Sequence, residues 1–493
     1  MSSPSSIRAV NVLRILILVC GAIFVGLWVT VFLLRVGYPF DLEWMEGGTV
    51  EEVRRILAGQ PVYVAPTIEF VPYIYNPLYF YLSAGVAKVT GLGYAPLRAV
   101  SFASSLGAAL VLFALVRRET RSLFAGALSA CLFAATYRLS GTWFDLARVD
   151  ALFLFLLLCA VLALRAASSL RAHVLAGLLL YLAFMAKQTA MIVAPPLMLY
   201  AILARGRRGW AFVACAIVPA LATVAALDVF SGGWYTYYAF KLAGRHAVLP
   251  EMIAHFWVRD VLALFAVATV LGAVYLFGAW RRGARDAACF FGLFTVGTFA
   301  SAFYSRIHYG GAENVLMPAH ASLAILLGLG VQHAVERSRA RGNGAWREPA
   351  LYAACLLQFA LLAYNPVHAV PTRRDREAGW ALVRTLAALD GDVLVDSAPA
   401  LGTLAGKKSM AHGTAMEDVM MDPADPARRM LQDDLFKAIE SRRFAAIVLG
   451  VGDQIPPEYV RLYYSRARSV FSEPDVFWPV VGCQTRPELV FFR

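Results

Sequence analysis

Three carboxylates stand within six residues in Phe40-Asp41-Leu42-Glu43-Trp44-Met45-Glu46, directly after the first long apolar run, Val12 to Leu34. That run is long enough to cross a bilayer. Acids grouped beside a lipid phase are costly to hold and mark functional sites; the bland reading is a solvated loop that ends the helix. Other outer segments add to them. Gly141 to Asp150 brings Asp145, Arg148 and Asp150, and Lys187 stands at a span end. Ser305 to Asn314 brings Arg306, His308, Tyr309, Glu313 and Asn314. Ser231 to Tyr238 is rich in aromatics, with Lys241, Arg245 and His246 just beyond. Acids and cations at one interface suit a reaction in which a base activates a hydroxyl while cations hold a phosphate leaving group. Glycosyl transfer from a lipid phosphate needs both parts, and an aromatic floor fits a sugar and a prenyl chain.

Each group also has a purely structural reading. Asp145 and Asp150 can pair Arg148 and do nothing else, and Lys187 can snorkel to the interface as an anchor. His308 can be a hydrogen-bonded loop residue, the aromatics an interfacial belt, and Gly310-Gly311 an ordinary turn.

The elements that must carry these residues follow from composition. Of 493 residues, 59% are hydrophobic and 16% charged, and the mean hydropathy is +0.61. A soluble chain would be about one-quarter charged. Repeated apolar runs make this a polytopic α-helical membrane protein. The first run is no cleaved signal peptide, because no small-residue cleavage site follows it before the acids. The net charge of +12 lies on arginines scattered over short loops, the positive-inside pattern rather than a nucleic-acid surface. The seven cysteines show neither metal spacing nor a disulfide framework.

Apolar runs at 12–34, 98–116, 123–135, 151–164, 174–186, 192–203, 210–229, 261–280, 289–303, 319–335 and 351–363 predict about eleven spans. Arginines fill every loop placed inside, so the N-terminus is cytoplasmic, the acids are extracytoplasmic, and an odd span count puts the tail outside. Between the first two spans, residues 36–95 predict a loop lying along the membrane. In it, 50–57 reads as an amphipathic helix with Glu51, Glu52, Arg54 and Arg55 on its wet side. The catalytic membrane domain is expected over 1–370. Residues 371–493 predict a small extracytoplasmic α/β domain, with strands at 392–396, 445–450 and 488–492 and helices at 375–389 and 430–439.

Taken together, Asp41 with Glu43 and Glu46, Tyr75-Asn76-Pro77-Leu78-Tyr79, Arg148-Val149-Asp150 and Lys187-Gln188, in this order and on one membrane side, resemble the GT-C superfamily of integral membrane glycosyltransferases. The family 39-type branch is the nearest in plan, similar to protein O-mannosyltransferases and lipid A aminoarabinose transferases. The resemblance covers about the first 330 residues. It implies an inverting enzyme of the bacterial inner membrane that takes a sugar from a polyprenyl-phosphate donor to an extracytoplasmic glycan, lipid or protein hydroxyl. It implies Asp41 as base with Glu43 or Glu46 assisting, although Leu42 interrupts the usual Asp-Glu pair. Arg148 and Lys187, then Arg306 and His308, are the implied phosphate ligands, with Tyr75, Asp150, Tyr309 and Asn314 around the substrate. No metal is expected, though Asp41, Glu43 and Asp150 suit a divalent cation. The tail is expected to bind acceptor, act as a lid or simply stabilise. The competing classes are a transporter or lipid flippase, which would keep its ionisable groups at midplane, and a non-catalytic scaffold.

Overall fold

The computed structural model describes residues 4–342, 344–450, 453 and 455–493. Among the described residues, a helix covers ten of the eleven predicted apolar runs, and the last, 351–363, is helical as far as Ala360. Nine helices come first: α1 Pro4–Arg35, α2 Glu46–Leu57, α3 Leu78–Thr90, α4 Tyr94–Thr120, α5 Leu123–Ala135, α6 Asp150–Ala166, α7 Leu170–Ala186, α8 Ala190–Arg205 and α9 Arg207–Ser231. The bundle continues through Pro250–Arg281, Arg285–Arg306, Met317–Ala340 and Gly344–Ala360. Six helices among the described residues are long and apolar enough to cross a membrane. The rest of the eleven run 13–17 residues, or about 20–25 Å at 1.5 Å per residue.

The helix Met317–Ala340 is the axis of this multi-pass bundle. Small residues let its neighbours approach: a Cβ on Gly328 would meet the Ala125 carbonyl oxygen at 2.8 Å, and one on Gly330 the Leu271 carbonyl oxygen at 2.5 Å. Close backbone contact of this kind is how helices associate where water gives no driving force.

Two arginines on the acid side of the membrane fold inward. Arg35, ending α1, makes a doubly hydrogen-bonded pair with Asp145 (2.7 and 2.8 Å), both fully buried. Asp145 therefore pairs Arg35, not Arg148 as the sequence suggested. Arg98, in the first turns of α4, donates to the carbonyls of Tyr38 (2.6 Å) and Phe40 (2.7 Å) and to both oxygens of Glu46. One side chain thus draws residues 38–46 into a fixed loop.

The expected wet side of the 50–57 helix is only half right. Arg54 and Arg55 reach the surface, but Glu51 and Glu52 are buried. Thr403 and Ser409 hydroxyls cover Glu51 (2.8 and 2.7 Å), and Glu52 accepts from the Tyr73 amide (2.8 Å). What covers them is the C-terminal segment for Glu51 and the Tyr73 stretch of the same loop for Glu52, neither of which a helical wheel can anticipate.

That segment is built on a four-stranded sheet of order β1-β2-β4-β3, where β1 is Val393–Val395, β2 Ala446–Gly450, β3 Arg466–Ser469 and β4 Pro487–Phe492. β1 and β2 are parallel; β4 runs antiparallel to both β2 and β3. Three strands fall where the sequence placed them. β3 escaped notice because all four of its residues are exposed on an edge, with no apolar alternation. The sheet and its helices sit on the acidic loop. Val480 donates to the Leu42 carbonyl (3.0 Å), and the Phe40 ring packs edge-on against Trp380 and Phe477.

Candidate active site

The acids of the first loop occupy three different environments. Glu46 is saturated: Arg98 takes both oxygens, and the amides of Leu42 (2.8 Å) and Ala147 (2.7 Å) donate as well. Burial works to raise its pKa, but Arg98 and these amides outweigh it and hold the carboxyl below its usual range. Glu46 braces the loop and has no lone pair left for chemistry. Asp41 is half-buried and accepts from the Gly47 amide (2.5 Å) and the Tyr94 hydroxyl (3.2 Å). Burial and then the neighbouring Glu46 raise its pKa. Neither Arg148 nor Lys187 is its partner.

Glu43 is fully buried against Arg148, whose Nη1 lies 3.2 Å from Oε1. Burial outweighs that cation and pushes the carboxyl up to about 7, where a general base works best. The other Arg148 terminal nitrogen donates to the Tyr75 hydroxyl oxygen (2.7 Å), leaving the Tyr75 proton free to point away. The position of Tyr75 is fixed from three sides. Tyr63 donates to its carbonyl (2.7 Å), Gln188 to that of Ile74 (2.6 Å), and Asn76 to that of Phe184 (2.5 Å).

Tyr75 opens onto a cavity of about 340 Å³ that Lys187, His246, His308, Tyr309 and Asn314 also line. Four predicted segments therefore meet there. Lys187 caps the C-terminal end of α7 and donates to Asp150 Oδ1 (2.5 Å), as does Asn314 (3.0 Å). The second Asp150 oxygen has no partner among the described residues. Gln188 and Thr189 lead into α8, so the N-terminal end of that helix faces the cavity. Such ends favour anions. Arg306 does not join: Asp260 (2.9 Å) and the Gly311 carbonyl (2.7 Å) hold it in place behind the 307–312 turn.

At its membrane side the cavity meets an apolar groove of about 380 Å³ between α7, α8 and α9. Met191 and Phe240 line both. On the opposite side, C-terminal acids fasten the mouth. Asp418 pairs His246 (3.0 Å), Glu417 accepts from Tyr309 (2.8 Å), and Asp422 and Asp425 pair Arg245. Glu43 lies beneath Gly482, where an added Cβ would come within 3.3 Å of its Cγ.

Asp41, Glu43 and Asp150, named above as suited to a divalent cation, have the Gly47 amide, Arg148 and Lys187 respectively as partners. Each is engaged separately, and no group of three His, Cys, Asp or Glu side chains suited to a metal occurs among the described residues. The residues that sequence reasoning passed over are Arg35, Arg98, Asp260 and His412. The two arginines left a signal, since each lies on the acid side of the membrane, opposite the side on which the arginine-rich loops fall.

A sequence profile described as dolichyl-phosphate-mannose-protein mannosyltransferase matches residues 72–235, which include Tyr75, Arg148, Asp150 and Lys187. No curated protein matches the chain. Among solved structures, ArnT from Cupriavidus metallidurans bound to undecaprenyl phosphate superposes with a TM-score of 0.58 at 14% identity, over 96% of this chain and 97% of that one. The Archaeoglobus fulgidus oligosaccharyltransferase AglB, in complex with an inhibitory peptide and a dolichol-phosphate, superposes with a TM-score of 0.52 at 13% identity, over 88% of this chain and 69% of that one. The fold is that of the GT-C superfamily of membrane glycosyltransferases. The profile match and the two superpositions bear on different parts of this GT-C fold. The first falls on the wall that carries the cavity cations, while the ArnT superposition extends over the C-terminal sheet as well.

Proposed function

We propose that the chain is a glycosyltransferase that moves a sugar from a polyprenyl-phosphate donor to a hydroxyl acceptor outside the cytoplasm, with inversion at the anomeric carbon. The observation that carries this reading is the continuity of the apolar groove with a cavity holding Lys187 and the α8 N-terminus, with the Glu43–Arg148–Tyr75 chain behind its far wall. The groove takes prenyl carbons. Lys187 uses one of its three donors on Asp150 and offers the others to the phosphate, beside His308 and the Tyr75 hydroxyl. Tyr309 and Asn314 face the sugar.

Glu43 is the base in this reading. Its carboxylate takes the acceptor hydroxyl proton as the acceptor oxygen bonds the anomeric carbon. The bond from that carbon to the phosphate oxygen breaks, and its electron pair leaves with the polyprenyl phosphate. Asp41 is secondary because the Gly47 amide and the Tyr94 hydroxyl hold it, whereas the Arg148 guanidinium lies against Glu43. No step calls for a metal, and chelation with EDTA is expected to leave the rate unchanged. Loss of activity restored by a divalent cation would reverse that point. The N-terminus is cytoplasmic and the C-terminal sheet outside a bacterial inner membrane in this reading, which the arginine-rich loops support.

The test is transfer by reconstituted protein, followed as release of free polyprenyl phosphate. Glu43→Gln is expected to abolish release while donor binding persists, and the wild-type rate is expected to rise with pH through about 7, as Glu43 ionises. Full activity in Glu43→Gln would sink the assignment. Donor crossing the bilayer with its glycosidic bond intact would instead identify a carrier.

A further inference from the structure

His412 lies in the C-terminal segment, 369 positions from Glu43 in the chain, yet it touches the loop that carries this acid. Its Nδ1 accepts from the Thr414 amide (3.1 Å), so the ring proton is on Nε2, which donates to the Trp44 carbonyl (2.8 Å). That carbonyl and the Met45 amide are the two ends of one planar peptide group. The Met45 amide donates to Glu43 Oε2 (3.1 Å). The Tyr73 ring packs against His412 (centroids 5.6 Å apart) and its hydroxyl donates to the next carbonyl, Met45 (3.0 Å). His412 is itself buried.

We infer that His412 is a positioning residue for the reaction: through the Trp44–Met45 peptide it sets the plane of the amide that holds Glu43. This rests on Glu43 being the base, as argued above. It assigns the C-terminal segment a role neither in acceptor binding nor as a cap, but in completing the active site of the membrane helices. Hydrogen bonds in series through one peptide reinforce each other. Rotation of that peptide removes a donor that favours the Glu43 carboxylate. The titratable groups facing Glu43 are then Arg148, Glu46, Asp41, Asp150, Tyr73, Tyr75 and, from the C-terminal segment, Cys483. Burial keeps the imidazole neutral, lowering its pKa to about 4, so it acts as a fixed donor across the working pH range.

His412 also caps the helix Gly413–Met420 through Thr414, and the test separates the two roles. Asparagine is a good cap but is too short to reach the Trp44 carbonyl. Glutamine reaches it with an amide donor. His412→Asn is expected to keep its fold and donor KM, with a melting temperature only slightly lower, while kcat falls about tenfold, in line with one lost buried hydrogen bond. The acid limb of its pH profile is expected to move upward. His412→Gln is expected to recover most of kcat. Wild-type kcat and pH profile in His412→Asn would overturn the inference, and so would a glutamine variant as slow as the asparagine one. A structure of His412→Asn reads the same point without any assay: an unmoved Trp44–Met45 peptide refutes the positioning role even if the wild type proves not to be a transferase.

Discussion

Lys187 is bound to Asp150 with both side chains buried, and that pair permits a quantitative test of the donor site. Lys187→Met leaves the Asp150 carboxylate in place with Asn314 as its remaining donor. Removing one partner of a buried pair costs about 3–5 kcal/mol, and the surviving Asn314 bond favours the lower end. Lys187→Met combined with Asp150→Asn removes both charges and is expected to restore most of that loss, since paired removal is close to neutral. Donor use should not recover with it. A charge-assisted bond to phosphate is worth about 1.5–3 kcal/mol, so kcat/KM for the polyprenyl-phosphate sugar should stay about 10- to 150-fold below wild type. Thermal unfolding in detergent reads the first quantity and sugar transfer in reconstituted membranes the second. If the double variant used donor within twofold of wild type, Lys187 would be no more than the counter-ion of Asp150.

Ala220→Trp fills the apolar groove. Loss of contact with two or three methylenes at ~0.8 kcal/mol each gives about 2 kcal/mol, so KM should rise about thirtyfold for a long-chain donor and little for a short-chain one. Equal effects on both would place the prenyl chain elsewhere. Arg98→Met strands the Glu46 carboxylate and the carbonyls of Tyr38 and Phe40 together. It is expected to destabilise the protein by about 3–5 kcal/mol, whereas adding Glu46→Gln should return part of this; a melting temperature unchanged in Arg98→Met would deny Arg98 its place in the loop.

The apolar runs were legible because bilayer thickness imposes a length, and arginines bound each run on one side. The chemical segments were legible too, as polar islands on a single face of the membrane: Tyr75, Lys187, His308, Tyr309 and Asn314 do share a cavity. What could not be read was pairing. Asp145 lies three residues from Arg148 but bonds Arg35, 110 positions away, and Glu46 bonds Arg98 rather than staying free for catalysis. The motif implies Asp41 as base but not its partners, which are the Gly47 amide and Tyr94, while Glu43 has the arginine. These choices depend on which carboxylate is buried against which guanidinium, a property of three-dimensional packing with no local period. Burial of Glu51 and Glu52 has the same origin, since their cover comes from positions 403 and 409 and from Tyr73.

The arrangement of charges also explains why a base with a pKa near neutrality suits this site. Arg148 and Lys187 are balanced by Glu43 and Asp150, so the four groups sum to zero when Glu43 is ionised. In the proposed reaction the donor enters as a phosphodiester with one negative charge. As the sugar leaves, the phosphate gains a second charge while Glu43 takes the acceptor proton and loses its own. The total is unchanged, and negative charge has only been relocated from the Glu43 side of Arg148 to the Lys187 side of the cavity. Arg148 spans the two, bonded to Glu43 by one terminal nitrogen and to the cavity-lining Tyr75 by the other. A carboxylate held far below neutrality, as Glu46 is by Arg98, would resist taking the proton. One made permanently neutral could not accept it. Burial against a single guanidinium puts Glu43 between those limits, which is what favours it over either neighbouring acid in the proposed reaction.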